Sequence, residues 1–143
     1  MGKLLDLLKG RAPIRRVEGE TVDLEIVGEA AYQDHIRRVR NHAGDGDFEI
    51  LLCPEPRNPY DANAVAVIAH GKPVGYLPRA LAVAWQPAVL AANATGFAVA
   101  GTARVFGGHD GAPSLGVFGS ATWPGPGAAP AGRSKSRRGQ KGR

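Results

Sequence analysis

Cysteine is almost absent from this chain: Cys53 is the only one in 143 residues. A single thiol closes no disulfide and builds no cysteine zinc site. It stands in the apolar run Phe48–Cys53, which predicts a buried thiol. Histidine is scarce too, with His35, His42, His70 and His109 the full set. None has His-x-x-x-His spacing, and His35 and His42, seven apart, are two helical turns from each other, too far to share one ion unaided. No nucleophile stands in a motif with a base and an orienting third group. The glycines of Gly107-Gly-His-Asp-Gly111 are followed by no Lys-Ser/Thr pair and sit in no βαβ unit, so they read as a hairpin turn and not as a phosphate cradle. Metal, cofactor and independent catalysis are therefore not expected; an accessory role beside an ATPase acting in trans is the one enzymatic connection left open. There is also no run of about 18 apolar residues to span a bilayer. Met1–Lys9 is too short, and too charged in its middle, for a signal peptide. The expectation is a cytoplasmic chain without a membrane partner.

Glycine (20) and proline (11) are plentiful, which favours short strands and many turns over a helical bundle. The net charge of +5 is unevenly placed. Residues 131–143 carry Arg133, Lys135, Arg137, Arg138, Lys141 and Arg143 and no acid, leaving twelve Lys and Arg against thirteen Asp and Glu in the rest. The basic character belongs to the tail, and those six side chains are candidate phosphate contacts for a polyanion such as nucleic acid.

Three segments follow. Residues 1–19 hold a short amphipathic helix, with Leu4, Leu5, Leu7 and Leu8 at helical spacing, and a charged connector; the helix either packs on the domain or docks a partner. Residues 20–122 form the domain. Residues 123–143, first Gly, Pro and Ala and then basic, have little to bury and predict a disordered tail, with loss of core contact from about Pro124. Within the domain, Val22, Leu24 and Ile26 alternate with Asp23 and Glu25 at strand period. Gln33–His42 reads as a helix that shares Tyr32, Ile36 and Val39 on one face. Arg37, Arg38 and Arg40 point elsewhere, as a solvated face or a phosphate-contacting one. Ala64–Ala69 and Pro73–Leu77 form a hairpin, and Gly75 marks a bulge or a close backbone approach. A helix starts after Pro78 and runs to about Asn93, with Pro87 a kink or break. Trp85 on it is core packing or a stacking platform. Phe97–Phe106 and Leu115–Phe118 are the last strands. The fold class is mainly β with short helices: an OB-like antiparallel barrel of about six strands.

Between two apolar strands lies Glu55-Pro-Arg-Asn-Pro-Tyr-Asp-Ala-Asn63. Two prolines and three Asn or Asp in nine residues specify the path of this loop. It presents Tyr60 beside Asp61. A base can stack on an aromatic ring, and a carboxylate accepts a hydrogen bond from a terminal 3′ hydroxyl, whereas an internal 3′ oxygen is esterified. A carboxylate also repels a terminal phosphate, so the pair suits the reading of a strand end. Arg79, where the helix starts, suits a phosphate oxygen. The purely structural alternatives stand beside these: Asp61 and Asn63 as turn formers, Tyr60 packed inward, Arg79 merely solvated.

The run Glu55-Pro-x-Asn-Pro-Tyr-Asp-x-Asn-Ala-Val-x-Val67, followed by Gly71-Lys-Pro-Val-Gly-Tyr-Leu-Pro-Arg79 and preceded by Val27-Gly-Glu-x-x-Tyr32, resembles a HIRAN domain over roughly Val22 to Val117. The resemblance implies an OB-like β-barrel with a few helices. It also implies a module that, in helicase-like ATPases of the Swi/Snf type, binds the 3′ end of single-stranded DNA; many bacterial members stand alone. By the same resemblance Asn58, Tyr60, Asp61 and Arg79 line the end-binding pocket, with Tyr32 contributing. Where end-binding relatives offer an Arg-aromatic pair after Val27-Gly28, this chain has Ala30 and Ala31. The first expectation is a module for single-stranded DNA or 3′ DNA ends, as in DNA repair or replication-fork processing, with a helicase-like ATPase or other protein as a further partner. The alternative is a protein–protein adaptor whose tail attracts nucleic acid loosely. An exposed Tyr60 ring beside Asp61 and Arg79 favours the first, and a buried ring the second.

Overall fold

The computed structural model of the chain describes residues 14–44 and 46–130. Eight strands and two helices follow in order: β1 (Arg15–Arg16), β2 (Thr21–Glu25), a 3-10 turn (Glu29–Tyr32), α1 (Gln33–Ala43), β3 (Phe48–Pro54), β4 (Val65–Ala69), β5 (Lys72–Tyr76), α2 (Arg79–Ala94), β6 (Phe97–Ala98), β7 (Ala100–His109) and β8 (Ala112–Thr122). Six strands make one antiparallel sheet in the order β2-β8-β7-β3-β4-β5. It curls into a half-barrel of the expected OB-like kind.

One isolated bridge links the two edges of that sheet. Beyond β2 the chain reaches Val27, which exchanges two backbone hydrogen bonds with Tyr76 at the end of β5, both 2.8 Å. Gly75 permits this approach: a Cβ there would lie 2.6 Å from Ile26 Cγ2 and 2.7 Å from the Val27 carbonyl oxygen. The β4–β5 register shifts beside it, so this glycine marks both a bulge and a close approach. Closure at this point sets Val27 and Tyr76 side by side, next to the Glu55–Ala64 loop.

Both helices stand where the sequence predicts. On α1, Ile36 and Val39 are fully buried, while Tyr32 belongs to the preceding 3-10 turn. The Gln33 side chain pins α1 to β8, donating to the Leu115 carbonyl and accepting from the Leu115 N–H, each at 2.9 Å. Helix α2 runs through Pro87 without interruption. Proline removes the bond to the carbonyl four residues earlier, here Val83; both positions face solvent, where water can take over. The buried stripe of α2, Leu81, Ala82, Trp85 and Val89, closes the barrel's core with Leu24, Ile50, Leu52, Val67 and Val99. Trp85 is core packing, and its truncation to Ala is the type of change that costs about 3–5 kcal/mol.

Strand β3 is buried on both faces. Ile50 and Leu52 point into the main core, and Leu51 and Cys53 into a second cluster with Ala66, Ala98 and Ala100. The small parallel pair β1–β6 accompanies that second cluster, in which Ile14 packs. Burial raises the Cys53 thiol to about 11, with the Glu55 charge adding to the effect. At the other end, the domain's packing continues past residue 122. The Trp123 ring meets Trp85 edge to face at 4.9 Å, its indole N–H donates to the Pro126 carbonyl at 3.4 Å, and Gly125 lies under the ring. Gly125 and Pro126 therefore contact the Trp123 ring, where no contact was expected from Pro124 onward, because an indole needs cover and a hydrogen-bond acceptor. The leucines at 4–8 and the six tail cations lie outside the described residues.

Candidate nucleic-acid interface

The loop between β3 and β4 is built by its own side chains. The Asn58 amide oxygen accepts the N–H groups of Tyr60 (2.8 Å) and Asp61 (3.2 Å), and its amide nitrogen donates to Glu55 Oε1 at 2.9 Å. Asp61 Oδ1 accepts the Asn63 N–H at 2.9 Å. Backbone bonds Glu55 N–H to Ala64 O and Ala64 N–H to Asp61 O close the base of the loop. From α2, the buried Gln86 amide donates to the carbonyls of Ala62 and Ala64, both at 2.9 Å. These are Asn and Asp side chains standing in for backbone partners. The polar groups so engaged hold the path; the Tyr60 ring is left over, 87% exposed.

Tyr60, Asn58, Asp61 and Arg79 line one open groove of about 330 Å³, together with Val27, Ala64, Tyr76 and Leu77. Four of the predicted residues are therefore brought together. Arg79 lies over the loop: its Nη2 donates to the Tyr60 carbonyl at 3.3 Å, and its Nε is 3.7 Å from Asp61 Oδ2. The two partners differ in access. The Asp61 side chain is 21% exposed and the Arg79 side chain 78%, so the carboxylate sits in the groove wall while the guanidinium reaches over it. Tyr32 is not in the lining. It stands behind, its ring centroid 6.4 Å from that of Tyr76, and Ala30 and Ala31 beside it face solvent.

Sequence reasoning missed Glu55 and Tyr76 as parts of this site. Tyr76 OH donates to Glu55 Oε1 at 2.9 Å, the same oxygen that accepts from Asn58. Burial first, then the hydrogen bond to the Glu55 carboxylate and the neighbouring Tyr32 phenol, raise the Tyr76 phenol well above its ordinary value. Tyr76 thus stays a donor and ties the groove floor to the loop. The available signal was the Gly-Tyr-Leu-Pro-Arg run itself, whose tyrosine reads only as strand until the register to Val27 is known.

The three arginines of α1 separate. Arg37 pairs with Asp34 at 3.5 Å, Arg40 donates to the Gly107 carbonyl at 3.3 Å, and Arg38 alone of the three has neither an ion-pair nor a hydrogen-bond partner among the described residues. The described residues contain no group of three or more His, Cys, Asp or Glu arranged to hold a metal, and no helix among them is long and apolar enough to cross a membrane.

A curled antiparallel half-barrel with a structured Asn-Pro-Tyr-Asp loop beside its closing bridge is thus the setting of the groove. The HIRAN domain family model matches residues 17–105, and the chain belongs to that family, whose domains are known as DNA-binding modules. The crystal structure of the HIRAN domain of human HLTF is similar, with a TM-score of 0.47 at 23% identity, over 74% of this chain and 77% of that one. No curated protein matches the chain significantly.

Proposed function

We propose that the Tyr60 groove binds single-stranded DNA at a 3′ end, and that the protein acts by binding and not by catalysis. The observation that carries this reading is the exposed Tyr60 ring beside a preformed Asp61–Arg79 pair. A terminal base stacks on Tyr60, a contact of roughly 1–3 kcal/mol. The floor of Val27, Ala64 and Leu77 takes the apolar edge of the nucleotide. Arg79 turns from Asp61 to a phosphate oxygen, a charge-assisted bond of comparable geometry. The released Asp61 Oδ2 then accepts from the 3′ hydroxyl and disfavours a 3′ phosphate.

Ala30 and Ala31 set the strength. With no cation or ring from the 3-10 turn, the groove holds its terminal nucleotide through Tyr60, Asp61 and Arg79 alone, and the preference for an end is modest. An exposed Tyr60 gives an adaptor little reason to keep Asp61 and Arg79 beside it, which favours DNA over a protein partner. A role in DNA repair or at replication forks, with an ATPase partner, is consistent with end binding. The test is a panel of single strands with free and phosphorylated 3′ ends and a blunt duplex. Preferential binding of the free-hydroxyl single strand supports the reading; equal binding of all three assigns the interaction to charge alone.

A further inference from the structure

A second pocket, of about 340 Å³, opens between α1 and the β4–β5 turn. It is lined by His35, Arg38 and His42 from one stripe of α1, His70 from the turn and Lys72 from β5, with Val39 at its base. No carboxylate is among the lining residues. We propose that this pocket is a phosphate-binding site, separate from the Tyr60 groove and independent of it.

Three observations support it. First, nine Lys and Arg fall among the described residues. Six are engaged: Arg16 with Glu49, Arg37 with Asp34, Arg79 with Asp61, Arg104 with Asp47, Arg40 with the Gly107 carbonyl, and Arg15 over the Phe97 ring. Of the three left, Arg38, Arg57 and Lys72, two share this pocket. Second, His70 is the one non-glycine residue with positive φ among the described residues, at 49°. With Gly71 at 84° it forms a two-residue hairpin turn, a place where Asn or Asp is the easier first residue. Histidine enters the left-handed region more readily than most residues, and this turn holds the His70 side chain at the edge of the pocket. Third, the histidines are oriented. His42 meets His70 edge to face at 5.0 Å, His70 packs on Phe48 at 6.5 Å, and His35 Nε2 is 2.8 Å from the Ala69 carbonyl. Facing that carbonyl, His35 Nε2 is the N–H, which fixes this ring as a wall of the pocket; its buried Nδ1 is an acceptor and offers an anion no donor.

A guanidinium fork, an ammonium and the imidazole N–H groups of His42 and His70 around one concave space match the oxygens of a phosphate. The phosphate is either a nucleic-acid backbone group or a free phosphate. Lys72 and Tyr76 stand at opposite ends of β5, no more than about 13 Å apart at strand rise, so one short strand of DNA reaches both sites.

The test uses the full chain and its Tyr60→Ala variant, with backbone amide shifts followed by NMR. The probes are inorganic phosphate, an oligothymidylate without terminal phosphates, and sodium chloride at matched ionic strength. Saturable shifts at Arg38, His42, His70 and Lys72 with phosphate or DNA, absent with chloride and lost in the Arg38→Gln/Lys72→Gln double variant, establish the site. Saturation by DNA below the phosphate concentration, with a log–log salt slope flattened by about 1.4 in the double variant, identifies the backbone as the source. Saturation by inorganic phosphate alone identifies a free phosphate. Shifts that follow ionic strength regardless of anion overturn the proposal. Because the shifts are also read in Tyr60→Ala, this result and the fate of the Tyr60 groove are separable.

Discussion

Two regions of this domain carry an exposed aromatic, and they are held in opposite ways. The Glu55–Ala64 loop is fixed by side chains: Asn58, Asp61 and Gln86 satisfy its backbone, and Tyr60 stands free beside a carboxylate and a guanidinium. The β7–β8 hairpin is fixed by glycine. Gly107 and Gly108 have φ of 87° and 81° at a register shift within β7, and the 57% exposed Phe106 ring lies over Gly116. Phe106 covers backbone, and the Arg104 near it is occupied by Asp47. An exposed ring is thus not by itself a site. What distinguishes Tyr60 is a rigid base that costs the ring no backbone freedom, with a carboxylate and a guanidinium beside it.

The largest expected effect breaks the glycine-held region. A Cβ at Gly107 would stand 2.2 Å from the Ser114 carbonyl oxygen, so Gly107→Ala is expected to cost roughly 2–4 kcal/mol of stability. Urea unfolding measures this, and the folded fraction should bind DNA as before. Asn58→Ala strikes the other region. It removes one acceptor of two N–H groups and one donor to Glu55, a loss of roughly 1–3 kcal/mol, and DNA binding should fall with it because Tyr60 loses its base. A stable Asn58→Ala protein with unaltered binding would show that the loop's rigidity is not what the site depends on.

Much of this was legible in the sequence. The strand period of Val22, Leu24 and Ile26, the hairpin around His70-Gly71 and the helix after Pro78 depend on local patterns, and they stand as read. The grouping of Asn58, Tyr60, Asp61 and Arg79 in one groove was implied by the family resemblance, and the geometry has it, without Tyr32. What failed to show depends on tertiary register. Phe97–Phe106 reads as one strand, yet the chain shifts partner at Val99, from β1 to β3. Gly107 and Gly108 read as a turn, and form a bulge inside a longer strand because β8 pairs past them. Asn58 reads as a ligand contact, while its amide is largely committed to the loop. Glu55 and Tyr76 become partners only when β5 lies beside the loop.

Smaller effects sharpen the comparison. Asp61→Asn keeps the oxygen that accepts the Asn63 N–H but removes the charge. It is expected to leave stability within about 0.5 kcal/mol and to reduce discrimination between hydroxyl and phosphate 3′ ends, as read by competition binding. Retained discrimination would place end recognition elsewhere. The smallest effect is on pH. The Cys53 thiol is raised to about 11 from 9.0, and the Tyr76 phenol is raised as well. Both hold their protons more tightly folded than unfolded, so the stability they contribute is full below pH 9 and is lost as pH rises toward 11. Urea midpoints should fall over that interval, and by less in Cys53→Ala. Cys53 should also react slowly with a thiol reagent at pH 8 while the protein is folded.

The most direct measurement is fluorescence anisotropy with a single strand ending in a 3′ hydroxyl, on a chain shortened after Pro130 to remove the six tail cations. Removing the tail is expected to weaken binding to all nucleic acids alike and to flatten the log–log salt slope by no more than about 4. In the shortened chain, Tyr60→Ala should weaken binding by roughly 1–3 kcal/mol, about 5- to 150-fold, with the slope nearly unchanged. Phe106→Ala, the ring of the glycine-held hairpin, should change it by less than about 0.5 kcal/mol. If the two substitutions have equal effects, or the shortened chain does not bind the strand at millimolar concentration, the Tyr60 groove is not the DNA site.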